Sequence, residues 1–179
     1  MTDYYRLPLG ANAPDVVNAV IEIPKGSRNK YEYDVDLGVF MLDRVLSSSM
    51  VYDVDYGFMP STLAGDGDPA DVLLLMEEPT FTGCIVPARP VGMMKMEDSG
   101  EDFKILCVPT GDKRYNHIHR LEDVSPHRLL ELEYFFRSYK TLDGSFPDVA
   151  GWRPENEARE YVLRCREAFS RKYGAAKVS

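Results

Sequence analysis

The sequence predicts an α+β domain, mostly β: a mostly antiparallel small barrel or sheet with two packed helices. Three observations carry this. Short apolar or alternating runs, each bounded by Gly, Pro or acidic turns, occupy the chain as far as about residue 108. Helical periodicity sets in only after Ser125-Pro126. No repeat, low-complexity stretch or linker interrupts the 179 residues, so one domain is expected over 1–179.

The elements follow in order. Residues 17–23 are an apolar run stopped by Pro24, hence a strand. KYEYDVD (30–36) alternates, with Lys30, Glu32 and Asp34 on one face and Tyr31, Tyr33 and Val35 on the other. Gly38 marks a turn, and VFMLDRV (39–45) returns as the second strand of a hairpin. DVLLLM (71–76), IVPARPVGMMKM (85–96) and DFKILCV (102–108) are further strands. Ser125 as N-cap and Pro126 at the first helical position open a helix whose stripe of Leu129, Leu132, Phe136 and Tyr139 runs to about Lys140, before Gly144. A last helix over 155–173 sets Ala158, Val162, Cys165, Phe169 and Tyr173 at spacings of three and four.

Composition removes several function classes. A formal net charge of −8 argues against a general binder of nucleic acid or anionic membranes, which needs a basic face. No run approaches the ~20 apolar residues that span a bilayer. The opening MTDYYRLPLG lacks the layout of a signal peptide, so a cytoplasmic protein is expected. Cys84, Cys107 and Cys165 lie far apart among apolar neighbours and read as core thiols in a reducing compartment.

The chemistry concentrates in GDGDPADVLLL (65–75), where Asp66, Asp68 and Asp71 crowd a stretch pinned by glycine and proline. Two carboxylates about 6 Å apart repel by roughly 3 kcal/mol at an effective dielectric near 20, so a cation is expected among them. Charges also interrupt segments that otherwise read as buried strands: Glu22, Lys30, Glu32, Arg44, Asp102 and Lys104. Buried charges persist only when paired or metal-bound. Both signs are present, as a metal–phosphate site requires: carboxylates hold a hard cation such as Mg²⁺, while Lys, Arg and tyrosine hydroxyls hold phosphate oxygens. Tyr52, Tyr56, and Tyr139 beside Lys140, suit the second task.

Other motifs fit less well. An EF-hand loop starting at Asp66 finds Asp68 and Glu77 in place, yet Ala70 and Asp71 occupy its fifth and sixth positions and Pro69 breaks its geometry. A P-loop and a G-x-S-x-G elbow are both missing from the sequence. His117 and His119 lack a nearby third ligand and read as surface or structural residues.

The ordered set of segments resembles the family I soluble inorganic pyrophosphatases. Asp66-Gly67-Asp68-Pro69-Ala70-Asp71 carries the match, with IEIP, KYEYD, LDRV, YDVDYGF, RPVGMMKM, GEDFK and FFRSYK around it in the family's order. The likeness runs from about residue 14 to Gly151-Trp152, and more loosely through the last helix. It implies a five-stranded OB-like barrel with two packed helices, hydrolysing pyrophosphate to two orthophosphates with several Mg²⁺ ions and a metal-bridged water. By that resemblance Asp66 and Asp71 ligate the activating metals, Asp98 and Asp102 complete the metal sites, and Glu22 and Glu32 line the cavity, some through metal-bound water. Asp68 matches the base; Lys30, Arg44, Tyr56, Lys104, Tyr139 and Lys140 match the phosphate-holding group, with Tyr52 close by.

The chain also departs from the family. The MEDSGED turn aligns two ways, with Glu97 the alternative to Asp98. GSFPDV (144–149) stands where many bacterial members carry a lysine-rich stretch. Family habit implies a homo-oligomer, a hexamer, although Tyr134 and Ser138 replace the histidines that some members place at subunit contacts. Two other classes stay open at this point: a barrel binding single-stranded nucleic acid through its aromatic residues, and a calcium-binding protein without catalysis.

Overall fold

The computed structural model describes residues 2–98 and 100–174, the side chains of residues 97, 98, 100 and 101 excepted. Its strands are β1 (Val17–Ile23), β2 (Asn29–Asp34), β3 (Val39–Val45), β4 (Asp55–Phe58), β5 (Asp71–Leu74), β6 (Ile85–Asp98), β7 (Gly100–Pro109) and β8 (Asp148–Pro154). Helix α1 (Pro126–Ser138) precedes β8, and α2 (Glu155–Tyr173) follows it.

Strand β1 pairs with β4 on one side and β6 on the other, so β1, β4, β5, β7 and β6 close into a ring. This is the expected OB-like barrel. Strand β6 is long enough to bond β1 with its first residues, β7 along most of its length, and β8 near its far end. Strands β5 and β7 run parallel; the other described pairs are antiparallel. The β2–β3 hairpin forms a separate two-stranded sheet. At its turn, Leu37 N–H donates to the Asp34 side chain at 2.8 Å, and Gly38 adopts φ +67°, a left-handed conformation that glycine enters freely.

The apolar runs are continuous because both faces of the strands are buried. Val72, Leu74, Ile105 and Cys107 join Ala158, Val162 and Cys165 of α2 in one core. Their neighbours Leu73, Leu75, Leu106 and Val108 join Leu132, Phe135 and Phe136 of α1 in another. Each fully buried Leu or Ile contributes about 1.5–3 kcal/mol. The approach of β4 to β1 is close enough to demand glycine: a Cβ on Gly57 would sit 1.9 Å from the Val20 carbonyl oxygen. Among the described residues no helix is long and apolar enough to cross a membrane.

Two strands escaped the sequence reading. In β4, Asp55 and Gly57 break any apolar alternation, and β8 begins in the GSFPDV stretch and ends on Pro154. The β2 strand stops at Asp34, so Val35 belongs to the turn. Helix α1 ends at Ser138, short of Lys140, and its start rests on Pro126, since the Ser125 side chain makes no capping hydrogen bond.

Candidate active site

The GDGDPAD segment folds into a compact turn before β5. Asp66 Oδ1 accepts the Asp68 N–H at 3.0 Å, and the Ala64 N–H donates to the Asp68 carbonyl at 2.7 Å. Gly67 takes φ +97°. The turn brings Asp68 to a cavity of about 600 Å³, walled by Glu22 of β1, Lys30 and Glu32 of β2, Tyr56 of β4, and Asp71 at the start of β5.

Register then sets Lys104 beside Asp71, because these two residues pair directly across the parallel β5–β7 ladder. Lys104 Nζ donates to Asp71 Oδ2 at 2.7 Å, to Asp102 Oδ1 at 3.0 Å and to Tyr56 Oη at 3.3 Å. It also lies 5.6 Å from the ring centres of Tyr56 and Phe136. Burial disfavours its charge, but the two carboxylates outweigh burial and hold the lysine above its ordinary range.

Glu22 is 8 % exposed, and its Oε1 accepts the Tyr33 N–H at 2.9 Å. Burial pushes its pKa up to about 8, assisted by the Asp71 and Glu32 charges and opposed by the Tyr33 N–H. Asp68 is raised as well, first by burial and then by Asp66 and Asp71. The unfavourable crowding inferred from sequence is therefore present in the fold. Lys30 relieves part of it, donating to Glu32 and, at 3.1 Å, to Asp43.

A second group gathers at the C-terminal end of α1. The Tyr52 ring lies 5.7 Å from Tyr56, 5.0 Å from Phe135 and 6.4 Å from Tyr139. Lys140 Nζ sits 5.3 Å over the Tyr139 ring. Burial keeps the Tyr52 and Tyr56 hydroxyls above the ordinary tyrosine range, so both remain protonated donors at neutral pH. Arg44 Nε is 3.7 Å from Asp43 Oδ2 on the exposed β3 strand.

The structure thus groups Glu22, Lys30, Glu32, Tyr56, Asp68 and Asp71 around one cavity, with Lys104 and Asp102 bonded to that set. Tyr52, Tyr139, Lys140 and Arg44 stand beyond these groups. The Asp98 and Glu97 side chains lie outside the described residues. Sequence reasoning missed Asp43 and Tyr5, both on the cavity wall. Asp43 could have been found as a second charge beside Arg44 in an otherwise apolar strand; nothing local to Tyr5 marks it.

Among the described residues no three His, Cys, Asp or Glu side chains converge as a ready metal cluster; an ammonium sits between Asp71 and Asp102 instead. The donor chemistry nevertheless fits a hard divalent cation. Glu22, Glu32, Asp68 and Asp71 offer carboxylate oxygens on the cavity, and burial followed by neighbouring carboxylates disfavours the charged forms of Glu22 and Asp68 even with Lys30 nearby.

Comparison with known proteins agrees with this geometry. Residues 19–170 match the family model described as inorganic pyrophosphatase. The chain is 48% identical over 164 residues to the inorganic pyrophosphatase of Synechocystis, covering 91% of this chain and 96% of that one. It is 52% identical over 157 residues to the inorganic pyrophosphatase of Methanosarcina acetivorans, covering 87% and 92%. The crystal structure of inorganic pyrophosphatase from Thermus thermophilus superposes with a TM-score of 0.92 at 45% identity, covering 94% of this chain and 99% of that one. With ring, acidic turn and buried lysine all in place, this chain belongs to the family I inorganic pyrophosphatases, enzymes that hydrolyse pyrophosphate.

Proposed function

We propose that the chain hydrolyses inorganic pyrophosphate to two orthophosphates in a Mg²⁺-dependent reaction at the Asp68 cavity. The observation that carries this is the meeting of carboxylates from β1, β2 and the acidic turn with Lys30 around one cavity of about 600 Å³, to which Lys104 is joined through Asp71. Asp66, Asp71, Asp98 and Asp102, with Glu22 and Glu32, would hold Mg²⁺. When bound, the metal neutralises substrate charge and acidifies the attacking water.

The chain's own groups do the rest. Asp68, held at the cavity by its own turn, takes the water's proton. Burial and the neighbouring Asp66 and Asp71 charges raise its pKa, a direction that favours proton acceptance. Lys30, Lys104, Arg44 and Lys140 donate to phosphate oxygens and stabilise the charge that grows on the departing phosphate. Tyr52, Tyr56 and Tyr139 add neutral donors, which orient the anion without binding product as tightly as a full charge would.

The aromatic residues where the hairpin and the N-terminal segment meet the barrel do not support a nucleic-acid reading. Tyr4, Tyr5, Tyr33, Phe40 and Phe58 pack edge to face or tilted on one another, not as an open stacking platform. We place the protein in the cytoplasm, a reading supported by three free thiols, two of them buried. We propose a homo-oligomer on the exposed Leu130 and Tyr134 of α1, to be tested by light scattering.

The test is phosphate release from pyrophosphate with Mg²⁺, beside a chelator control and Asp68→Asn. Loss of positioned proton transfer is expected to lower turnover about 10²–10⁴-fold while circular dichroism stays unchanged. Undiminished release by a folded Asp68→Asn protein would remove Asp68 from this role. Tight Ca²⁺ binding with no hydrolysis by the unsubstituted chain would favour the non-catalytic reading.

A further inference from the structure

The cavity has a neighbour. A second cavity of about 320 Å³ shares four wall residues with it: Tyr5, Val35, Asp68 and Pro69. Beyond that common wall the second space is lined by Leu63, Phe169 and Tyr173, with Asp3 and Arg6 at its margin. We propose that Tyr5 is a specificity-determining residue, a partition that keeps the site to inorganic pyrophosphate by closing off an aromatic annex suited to the organic group of a pyrophosphate monoester. The proposal rests on the pyrophosphate-hydrolysing reading of the main cavity.

Tyr5 is built as a fixed wall. Its N–H donates to Asp3 Oδ1 at 3.1 Å and its carbonyl accepts the Ser61 N–H at 2.7 Å. Ser61 also donates its hydroxyl to the Leu7 carbonyl at 2.7 Å, tying the segment down on the far side. The Tyr5 ring stands edge-on to Phe58, with centroids 5.0 Å apart and planes at 85°, and lies 5.3 Å from Tyr33. Backbone and ring are thus both held, yet no hydrogen bond joins the hydroxyl to another described residue.

The annex has its own chemical preference. The Phe169 and Tyr173 rings lie 5.0 Å apart, and the Arg6 guanidinium sits 5.7 Å over the Tyr173 ring. Arg6 is already paired with Asp3 at 3.3 Å, and Asp68 supplies a second carboxylate at the wall. A third phosphate would meet two carboxylates and an arginine already engaged. A flat apolar group would meet aromatic faces and Leu63. In the reaction expected with phenyl pyrophosphate, water oxygen bonds to the terminal phosphorus and gives its proton to Asp68. The bridging P–O bond breaks, and its electron pair leaves with phenyl phosphate, so the products are phenyl phosphate and orthophosphate.

The experiment compares kcat/KM for pyrophosphate, phenyl pyrophosphate and tripolyphosphate in the unsubstituted chain, Tyr5→Ala and Tyr5→Leu, with Mg²⁺. Tyr5→Ala is expected to raise the phenyl pyrophosphate to pyrophosphate ratio about 10-fold or more, within the range that pocket size commands, and Tyr5→Leu to raise it less. The tripolyphosphate ratio is expected to move less than about threefold, since size alone does not remove the carboxylates. An unchanged phenyl ratio, or an equal gain with tripolyphosphate, overturns the proposal. If circular dichroism shows that neither variant folds, Tyr5 is a packing residue and the proposal falls. An unsubstituted chain that releases no phosphate from pyrophosphate overturns the underlying reading, visible before any variant is made.

Discussion

Replacing Glu22 by glutamine is expected to stabilise the protein and cripple the enzyme. Glu22 is 8 % exposed, and burial lifts its pKa from 4.5 to about 8. Between those two values the folded chain holds a proton that the unfolded chain has released, so stability falls as pH rises. The penalty is absent below about pH 4.5 and complete above about pH 8. At about 1.4 kcal/mol per pH unit it approaches 5 kcal/mol by pH 9, and local relaxation leaves about 3–5. Glu22→Gln never ionises, while its side-chain oxygen still accepts the Tyr33 N–H. At 2–4 °C per kcal/mol for a chain of this size, the variant should melt roughly 10 °C above the unsubstituted protein at pH 9. At pH 5 the two should melt together. Thermal melts followed by circular dichroism in chelator provide the comparison, because groups common to both chains cancel. With Mg²⁺ present, turnover of the variant should fall. An identical difference in melting temperature at pH 5 and pH 9 would refute this account of Glu22.

Two further substitutions probe the frame. Lys104→Met removes the ammonium between Asp71 and Asp102, whose side chains are 29% and 31% exposed. Discounted for that exposure, about 2–4 kcal/mol should be lost in chelator. Saturating Mg²⁺ should narrow the gap in urea midpoint, since another cation then faces the carboxylates; a gap unmoved by Mg²⁺ contradicts the reading. Gly57→Ala sets a methyl 1.9 Å from one backbone atom and 2.9 Å from two others, none free to move without separating β1 from β4. It should cost more than about 3 kcal/mol, and a native-like melt from the purified variant would count against the stated closeness of those strands.

The sequence was most legible where one residue's environment repeats in its neighbours. Strand β3 at 39–45 and helix α2 at 155–173 have the bounds read from pattern alone, because glycine and proline punctuate them and the periodicities are clean. The four residues of β4 gave no such signal. Asp55 is fully buried there because its carboxylate accepts the Lys25 N–H at 2.7 Å and both the N–H and hydroxyl of Thr80, partners 30 and 25 residues away. No local pattern encodes that compensation.

The site divides in the same way. Crowding of Asp66, Asp68 and Asp71 is a local fact, and it was readable. The Asp102–Lys104 pair follows from strand alternation. The Asp71–Lys104 contact depends on a parallel register, and Tyr5 reaches the wall through its ties to Ser61 and Phe58, so neither could be seen before the fold.

The parallel β5–β7 ladder also orders events in time. The β2–β3 hairpin and the β6–β7 meander join neighbours in sequence and can form early, on the microsecond scale of hairpins. The Asp71–Lys104 contact spans 33 residues and needs the intervening β6 in place, and closure of β1 onto β6 joins segments more distant still. Non-local pairings carry the larger loop entropy and set the pace of folding. Until they form, the acidic turn is a bare anionic cluster without its lysine. A chain refolding from denaturant is therefore expected to regain pyrophosphate hydrolysis only after these pairings form. The return of hydrolysis is thus expected to report ring closure more faithfully than the recovery of strand or helix signal.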